Sequence, residues 1–202
     1  MNQEEHKKYW DSIAGKKKFT VNLRQDLFFE FVKRDAEILD FGCGYGRTLA
    51  ELAESGCKKL YGCDISPKMI AQARNYIPAA RVSVNPGLVI PFADASFDCV
   101  IMLAVLTSII SDADQAMLVK QIRRVLRPGG VVYIGDFLMN DDQRNLDRYC
   151  QYEAKYGRSG IFELEEEGGV ALRHHSEEYI RQLFSAFEIV KLEKTVYQTM
   201  NG

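Results

Sequence analysis

The sequence predicts an α/β fold of the doubly wound kind, built on a mostly parallel sheet. Short apolar runs at 38–41, 59–63, 99–103 and 131–136 alternate with stretches of helical periodicity, the pattern of repeated strand–helix–strand units. The first run leads directly into glycines at 42, 44 and 46 and then into a helix, a turn where bare main chain can approach a ligand. With 202 residues and 47% hydrophobic content, one domain can bury most of its apolar surface.

Residues 1–34 read as an N-terminal helical cap, in which Phe19 to Val32 sets Leu23, Leu27, Phe28, Phe31 and Val32 on one helical face. Ile38 to Phe41 is the first strand. A helix from Arg47 to Ser55 is ended by Gly56, and Lys59 to Cys63 is the second strand. Ser66 is placed to cap a helix over Lys68 to Tyr76, with Pro67 at its first position. Arg81 to Val84 and Cys99 to Leu103 follow as strands. Asp112 opens a helix with the stripe Leu118, Ile122, Val125 and Leu126, closed by Pro128-Gly129-Gly130, and Val131 to Asp136 is the fifth strand.

Beyond Asp136 the alternation breaks. Residues 137–175 form an insertion that would overhang the carboxyl ends of the strands as a substrate lid. It is polar and helical from Asn140 to Tyr156, with Tyr149, Tyr152 and Tyr156 near one side, and then runs through an acidic loop, Glu163 to Gly169. Ser176 caps a last helix carrying Ile180, Leu183, Phe184 and Phe187, and Glu188–Leu192 with Thr195–Thr199 is expected to form an antiparallel hairpin. No internal repeat is visible.

The glycine spacing restricts the ligand. A dinucleotide fingerprint, G-x-G-x-x-G, would need glycine at 47, where Arg47 stands. Asp40, two residues ahead of Gly42, suits a ligand with positive charge, although an Asp there can also cap the loop. Asp64 ends the second apolar run, where a carboxylate suits a ribose diol or, equally, the turn before Ser66-Pro67.

Asp40-Phe41-Gly42-Cys43-Gly44-Tyr45-Gly46 resembles the first motif of the class I S-adenosylmethionine-dependent methyltransferases, an acid followed by G-x-G-x-G. Asp64, the stretch Ile90 to Ile101 with its Pro91-Phe92 and Phe97-Asp98 pairs, and Val125-Leu126-Arg127-Pro128-Gly129-Gly130 resemble that family's later motifs in family order. The resemblance spans 38–136. It implies a Rossmann-like, mostly parallel seven-stranded sheet with an antiparallel C-terminal hairpin, S-adenosylmethionine as cofactor and S-adenosylhomocysteine as product. It further implies that main chain around Gly42, Cys43 and Gly44 holds the methionine part and that Asp40 favours its ammonium. Asp64 would take the ribose, Ile65 and Met69 the adenine, and Leu103 with Ala104 would line the site of methyl transfer. Met69 fits the helix core equally well. Where many relatives carry an adenine-binding acid this chain has Pro86, so Asn85 or a main-chain carbonyl is expected to take that contact.

For the acceptor, His174 and His175 at the end of the insertion are candidate bases, since imidazole titrates near neutrality; a structural role is the alternative for both. Tyr9 and Trp10 resemble the aromatic N-terminal segment that closes over the cofactor in small-molecule members, with Tyr9 also a candidate at the acceptor; packing on the core is their other reading. Lys16-Lys17-Lys18 is a solvated run or a contact for an anionic substrate.

Composition narrows the partners. Lys plus Arg total 26 against 28 for Asp plus Glu, a net charge of -2, so nucleic acid is not the expected partner. The polar N-terminus and the lack of a long apolar run point to a cytoplasmic chain without a membrane segment. Five cysteines without a CxxC pair read as reduced packing residues, with no metal site. The expected activity is methyl transfer to a small molecule by a monomer or homodimer. An RNA or tRNA methyltransferase, or a cofactor binder without turnover, are the alternatives.

Overall fold

The computed structural model describes residues 3–16, 19, 21–85, 87–164 and 169–196. Lys17, Lys18, Pro86, the tip of the acidic loop at 165–168 and the end of the expected hairpin at 197–199 lie outside the described residues.

Five parallel strands form the central sheet in the order β3-β2-β1-β4-β5: β1 (Glu37–Phe41), β2 (Lys59–Asp64), β3 (Arg81–Val84), β4 (Phe97–Leu103) and β5 (Leu126–Gly135). Ile38 faces Leu60 on one side and Cys99 on the other, so β1 is central and buried on both faces. Alternate residues feed two cores. Ile38, Cys99 and Ile101 meet Phe28 of α2 (Gln25–Phe31), Leu49 and Leu52 of α3 (Arg47–Glu54) and Ile70 of α4 (Pro67–Tyr76). Leu39, Val100 and Met102 meet Leu118, Ile122 and Val125 of α5 (Asp112–Val125) and Phe184, just past α7 (Glu177–Leu183). The chain leaves β1 toward β2 and β3, then crosses back to β4. This reversal opens a crevice between β1 and β4 at the carboxyl ends of the strands.

Three expectations need correction. The helix expected over 19–32 begins only at Gln25, because residues 21–24 alternate buried and exposed, with Val21 and Leu23 inward, as an extended strap does. The fifth strand starts earlier than expected, at Leu126, and Pro128-Gly129-Gly130 lies within it as an irregularity: the register jumps from Phe97 opposite Leu126 to Cys99 opposite Val131. Among the described residues, the C-terminal segment forms no antiparallel hairpin. Residues 188–196 carry no strand, and side-chain pairs hold them instead: Lys194 to Glu177 at 2.9 Å and Glu193 to Arg24 at 3.3 Å. Ile189, Val190 and Val196 stay exposed, so that segment has no apolar face to drive a ladder.

The hairpin that does form, β6 (Ile161–Leu164) with β7 (Val170–Arg173), is a separate sheet inside the insertion. Helix α6 (Gln143–Tyr156), capped by Asp142, packs Tyr149 and Tyr152 on Phe162 as a small third core. The insertion is tied down at both ends. Met139 N–H donates to His175 O and His175 N–H to Phe137 O, while Arg158 and Arg173 each reach Asp112 at the start of α5 at 2.6 Å. Partial burial pushes the Asp112 carboxyl up, but hydrogen bonds from Arg158 and Arg173 outweigh it and hold it at about 2.

Cys43, Cys57, Cys63 and Cys99 are buried free thiols, and Cys150 is an exposed one. No described helix is long and apolar enough to cross a membrane. No group of His, Cys, Asp or Glu suited to a metal occurs among the described residues.

Candidate active site

The glycine turn hangs from the end of β2. Gly42 and Cys43 N–H both donate to Cys63 O, at 2.8 and 3.0 Å, and Gly44 N–H donates to Asp64 Oδ2 at 2.9 Å. Gly42 and Gly44 adopt φ of +80° and +54°, where side chains are strained. A Cβ on Gly42 would lie 2.6 Å from Val105 Cγ2, and one on Gly44 2.6 Å from Phe19 Cε2. Asp64 Oδ1 accepts from Ser66 N–H at 2.8 Å. Asp64 is therefore a turn residue, and each of its oxygens retains a lone pair for a ligand hydroxyl.

This turn opens on a cavity of about 1990 Å³ along the strand ends. Small-molecule sites usually run to about 1,000 Å³, so two ligands fit side by side. Tyr9, Trp10, Asp40, Gly42, Cys43, Gly44, Asp64, Ile65, Met69, Asn85, Leu103, Ala104 and His174 all line it. Met69, 1% exposed, serves as core as well as wall. Asn85 is buried, and its Nδ2 lacks a hydrogen-bond partner, a polar group available to a planar nitrogen base.

His175 is the correction. It does not line the cavity; its ring is 1% exposed, stacks on Tyr179 at 5.7 Å and meets Gln115 Nε2 at 2.9 Å. Adjacent residues in extended chain point to opposite sides, so only one histidine of the pair can face the cavity. His174 does, with Nδ1 at 2.6 Å from the Tyr149 hydroxyl and its ring between Phe137 and Phe162. Burial, then Arg148, lowers its pKa to about 4, so it is neutral at pH 7 and a poor proton acceptor.

The N-terminal segment covers the glycine turn. Asp11 on α1 (Gln3–Ile13) accepts from Ser66 Oγ and from Lys68 N–H, docking α1 on the start of α4. The rings of Tyr9, Trp10, Phe19 and Tyr45 follow one another in contact, ending with Phe19 stacked on Tyr45 at 5.4 Å. Arg47 closes the strap, donating to Asn22 Oδ1 and Val21 O. The residue that excludes a dinucleotide fingerprint thus pins the cover down.

Negative charge gathers beneath. Asp40 is 2% exposed, and burial, reinforced by neighbouring Asp64, pushes its carboxyl up to about 7. A cation bound beside it favours the ionised form, so binding below about pH 7 must expel a proton. Affinity for S-adenosylhomocysteine, whose ammonium is cationic, should accordingly rise as pH increases through 7, with fractional proton release near pH 6.5. Calorimetry in buffers of different ionisation enthalpy reads this directly, and zero proton uptake or release would remove Asp40 from the ammonium site.

Sequence reasoning missed Asp136. Its oxygens accept the amides of Leu106 at 2.8 Å, Thr107 at 3.2 Å and Phe137 at 2.8 Å, and burial pushes its carboxyl to about 7 despite those bonds. It fixes the loop after β4, where Ala104 is held at φ +54° and donates to Gly135 O at 2.7 Å. The available signal was an acid at the end of a strand, as at Asp64.

A family profile described as a methyltransferase domain matches residues 39–134. The chain is 30% identical over 137 residues to a 2-methyl-6-phytyl-1,4-hydroquinone methyltransferase of Synechocystis sp., covering 66% of this chain and 42% of that protein. It is 29% identical over 164 residues to a 27-O-demethylrifamycin SV methyltransferase of Amycolatopsis mediterranei, covering 77% and 59%. The chain thus spans about half the length of these curated relatives. The crystal structure of an S-adenosylmethionine-dependent methyltransferase from Methanosarcina mazei superposes with a TM-score of 0.76 at 27% identity, covering 82% of this chain and 84% of that one.

Proposed function

We propose that the chain is a class I S-adenosylmethionine-dependent methyltransferase and that it transfers a methyl group from S-adenosylmethionine to a small molecule held beneath the 137–175 insertion. The observation that carries this reading is the convergence of the glycine turn, Asp40 and Asp64 on one cavity with room for a second ligand. Relatives named for acting on a hydroquinone and on a rifamycin support a small acceptor.

The residues fit the cofactor. Gly42 and Gly44 offer main chain that no Cβ shields, Asp64 keeps lone pairs for the ribose hydroxyls, and Asp40 balances an ammonium. Asn85 and Met69 are assigned to the adenine. When bound, the sulfonium supplies a methyl carbon that is already electrophilic. The protein's work is then to align a nucleophile about 3 to 3.5 Å from that carbon and keep water away. Leu103 and Ala104 form the wall at that point, and Asp136 keeps the wall in place through the amides of the β4 loop. Tyr9, Trp10 and Phe19 close the cofactor side, and the insertion closes the acceptor side as its lid. Electron-rich ring faces near a sulfonium add about 1 kcal/mol or more. Lys16 remains assigned to solvent. We place the enzyme in the cytoplasm, acting without nucleic acid or membrane, as a monomer or homodimer.

Saturating S-adenosylhomocysteine, at about a hundred times its dissociation constant, should add ~2.7 kcal/mol of stability and raise the melting temperature by roughly 5 to 10 °C. NADH should leave it unchanged. The reverse outcome would assign the crevice to a nicotinamide cofactor. Incubation with methyl-labelled S-adenosylmethionine and a panel of hydroxylated aromatic and macrocyclic compounds then reads transfer, and label passing to tRNA alone would overturn the small-molecule assignment.

A further inference from the structure

Where the insertion forms the cavity, Leu138, Met139, Phe162, Leu164 and Leu172 supply apolar wall, and Asp141, Asp142, Arg144, Asn145, Arg148 and Arg158 supply polar wall. His174 stands between the two. Its proton position follows from its neighbour. The Tyr149 hydroxyl is 3% exposed as a residue, and its oxygen accepts from Asn140 N–H. A buried hydroxyl proton needs an acceptor, and His174 Nδ1 stands 2.6 Å away. Nδ1 therefore receives the proton of Tyr149, and in the neutral ring the remaining hydrogen sits on Nε2. The imidazole offers the cavity a donor. Phe137, stacked at 5.6 Å, and Phe162, edge-on at 4.9 Å, prevent the ring from turning over.

The surrounding charge favours the same partner. Arg148 lies over the Phe162 ring at 5.2 Å and close enough to His174 to disfavour its protonation, against an opposing pull from Asp142. A neutral donor beside a guanidinium complements an oxygen carrying negative charge or a carbonyl dipole. A hydroxyl needing a base meets no free lone pair on the His174 ring.

We propose that His174, its tautomer fixed by the positioning residue Tyr149, selects acceptors that carry a phenolate, enolate or carbonyl oxygen, by donating a hydrogen bond from Nε2 to that oxygen. This rests on the assignment of the insertion side to the acceptor. It replaces the expectation of His174 as a general base: the acceptor arrives already ionised, and no proton passes to the imidazole.

A pair of probes tests it, 4-nitrophenolate at a pH where the phenol is ionised and its neutral methyl ether 4-nitroanisole, each titrated into the protein saturated with S-adenosylhomocysteine. The wild type should bind the phenolate about tenfold or more tightly than the ether. His174→Phe should bring the two affinities together, and the bound phenolate band should lie at shorter wavelength in the wild type than in this variant, because only there does its oxygen accept the hydrogen bond. His174→Gln, which keeps an N–H, should retain part of the preference and of the band shift and serves if the Phe variant does not fold. Tyr149→Phe leaves the tautomer unfixed and should shrink the preference and the band shift several-fold with ether binding unchanged. A wild type that binds both probes equally or not at all, or that prefers the neutral phenol at lower pH, overturns the proposal, as does an intact preference in His174→Phe. Failure of S-adenosylhomocysteine to bind the wild type would instead strike the underlying functional reading, and this inference with it.

Discussion

Asp64→Ala should lower the affinity for S-adenosylhomocysteine at least tenfold, a loss of about 1.4 kcal/mol or more. Two effects add. The carboxylate is the proposed partner of both ribose hydroxyls, and it also accepts Gly44 N–H and Ser66 N–H. Its removal leaves two amides without their acceptor, so the glycine turn loosens even before the ligand binds, at a cost of roughly 1 to 3 kcal/mol in folding stability. Asp64→Asn separates the contributions. The carboxamide oxygen can still accept one of those amides while the negative charge is gone, so stability should largely recover and ligand affinity should not. Calorimetry and urea titration of both variants provide the check, and unchanged affinity in Asp64→Ala would falsify the ribose assignment.

Gly42→Ala is expected to damage the same site from the other side. The residue sits at φ +80°, which costs an L side chain about 1 to 2 kcal/mol, and its new Cβ would meet Val105 Cγ2 at 2.6 Å. Val105 is β-branched and follows the strained Ala104, in the loop that Asp136 holds by its amides, so it cannot simply rotate aside. The displacement therefore reaches the wall assigned to methyl transfer. Stability should fall by ~1 to 3 kcal/mol and cofactor affinity more than tenfold. Adding Val105→Ala removes the colliding methyl and should restore part of the stability but not the φ strain. Wild-type affinity in the single variant would mean that the turn does not cradle the ligand.

Much of this site was legible because its chemistry is local in sequence. Asp40, Gly42, Cys43, Gly44, Asp64 and Ile65 stand at or just past the ends of two adjacent parallel strands, so strand pairing alone brings them together. Ser66 accepts Met69 N–H at 3.1 Å, the cap that Ser-Pro foretells. Other features depended on partners distant in the chain. The 19–32 stretch has helical periodicity, yet Arg24 N–H reaches the Tyr133 hydroxyl and Arg47 grips Val21 and Asn22, so its first part is drawn out as a strap. The segment 188–192 has strand propensity, but the antiparallel ladder formed within the insertion, where Tyr149, Tyr152 and Phe162 supply the apolar face that a hairpin needs. His174 and His175 were equivalent in sequence, and their alternation against a packed surface made one a wall of the cavity and the other a partner of Gln115.

The sequence by itself determined the sheet core, the glycine turn and the likeness to a methyltransferase domain, because apolar periodicity and glycine conformation are properties of neighbouring residues. The tertiary structure alone decided what covers the glycine turn, which acid holds the β4 loop and which histidine lines the cavity. Those features depend on side chains far apart in the chain, whose meeting is set by packing and by the need of each buried polar group for a partner.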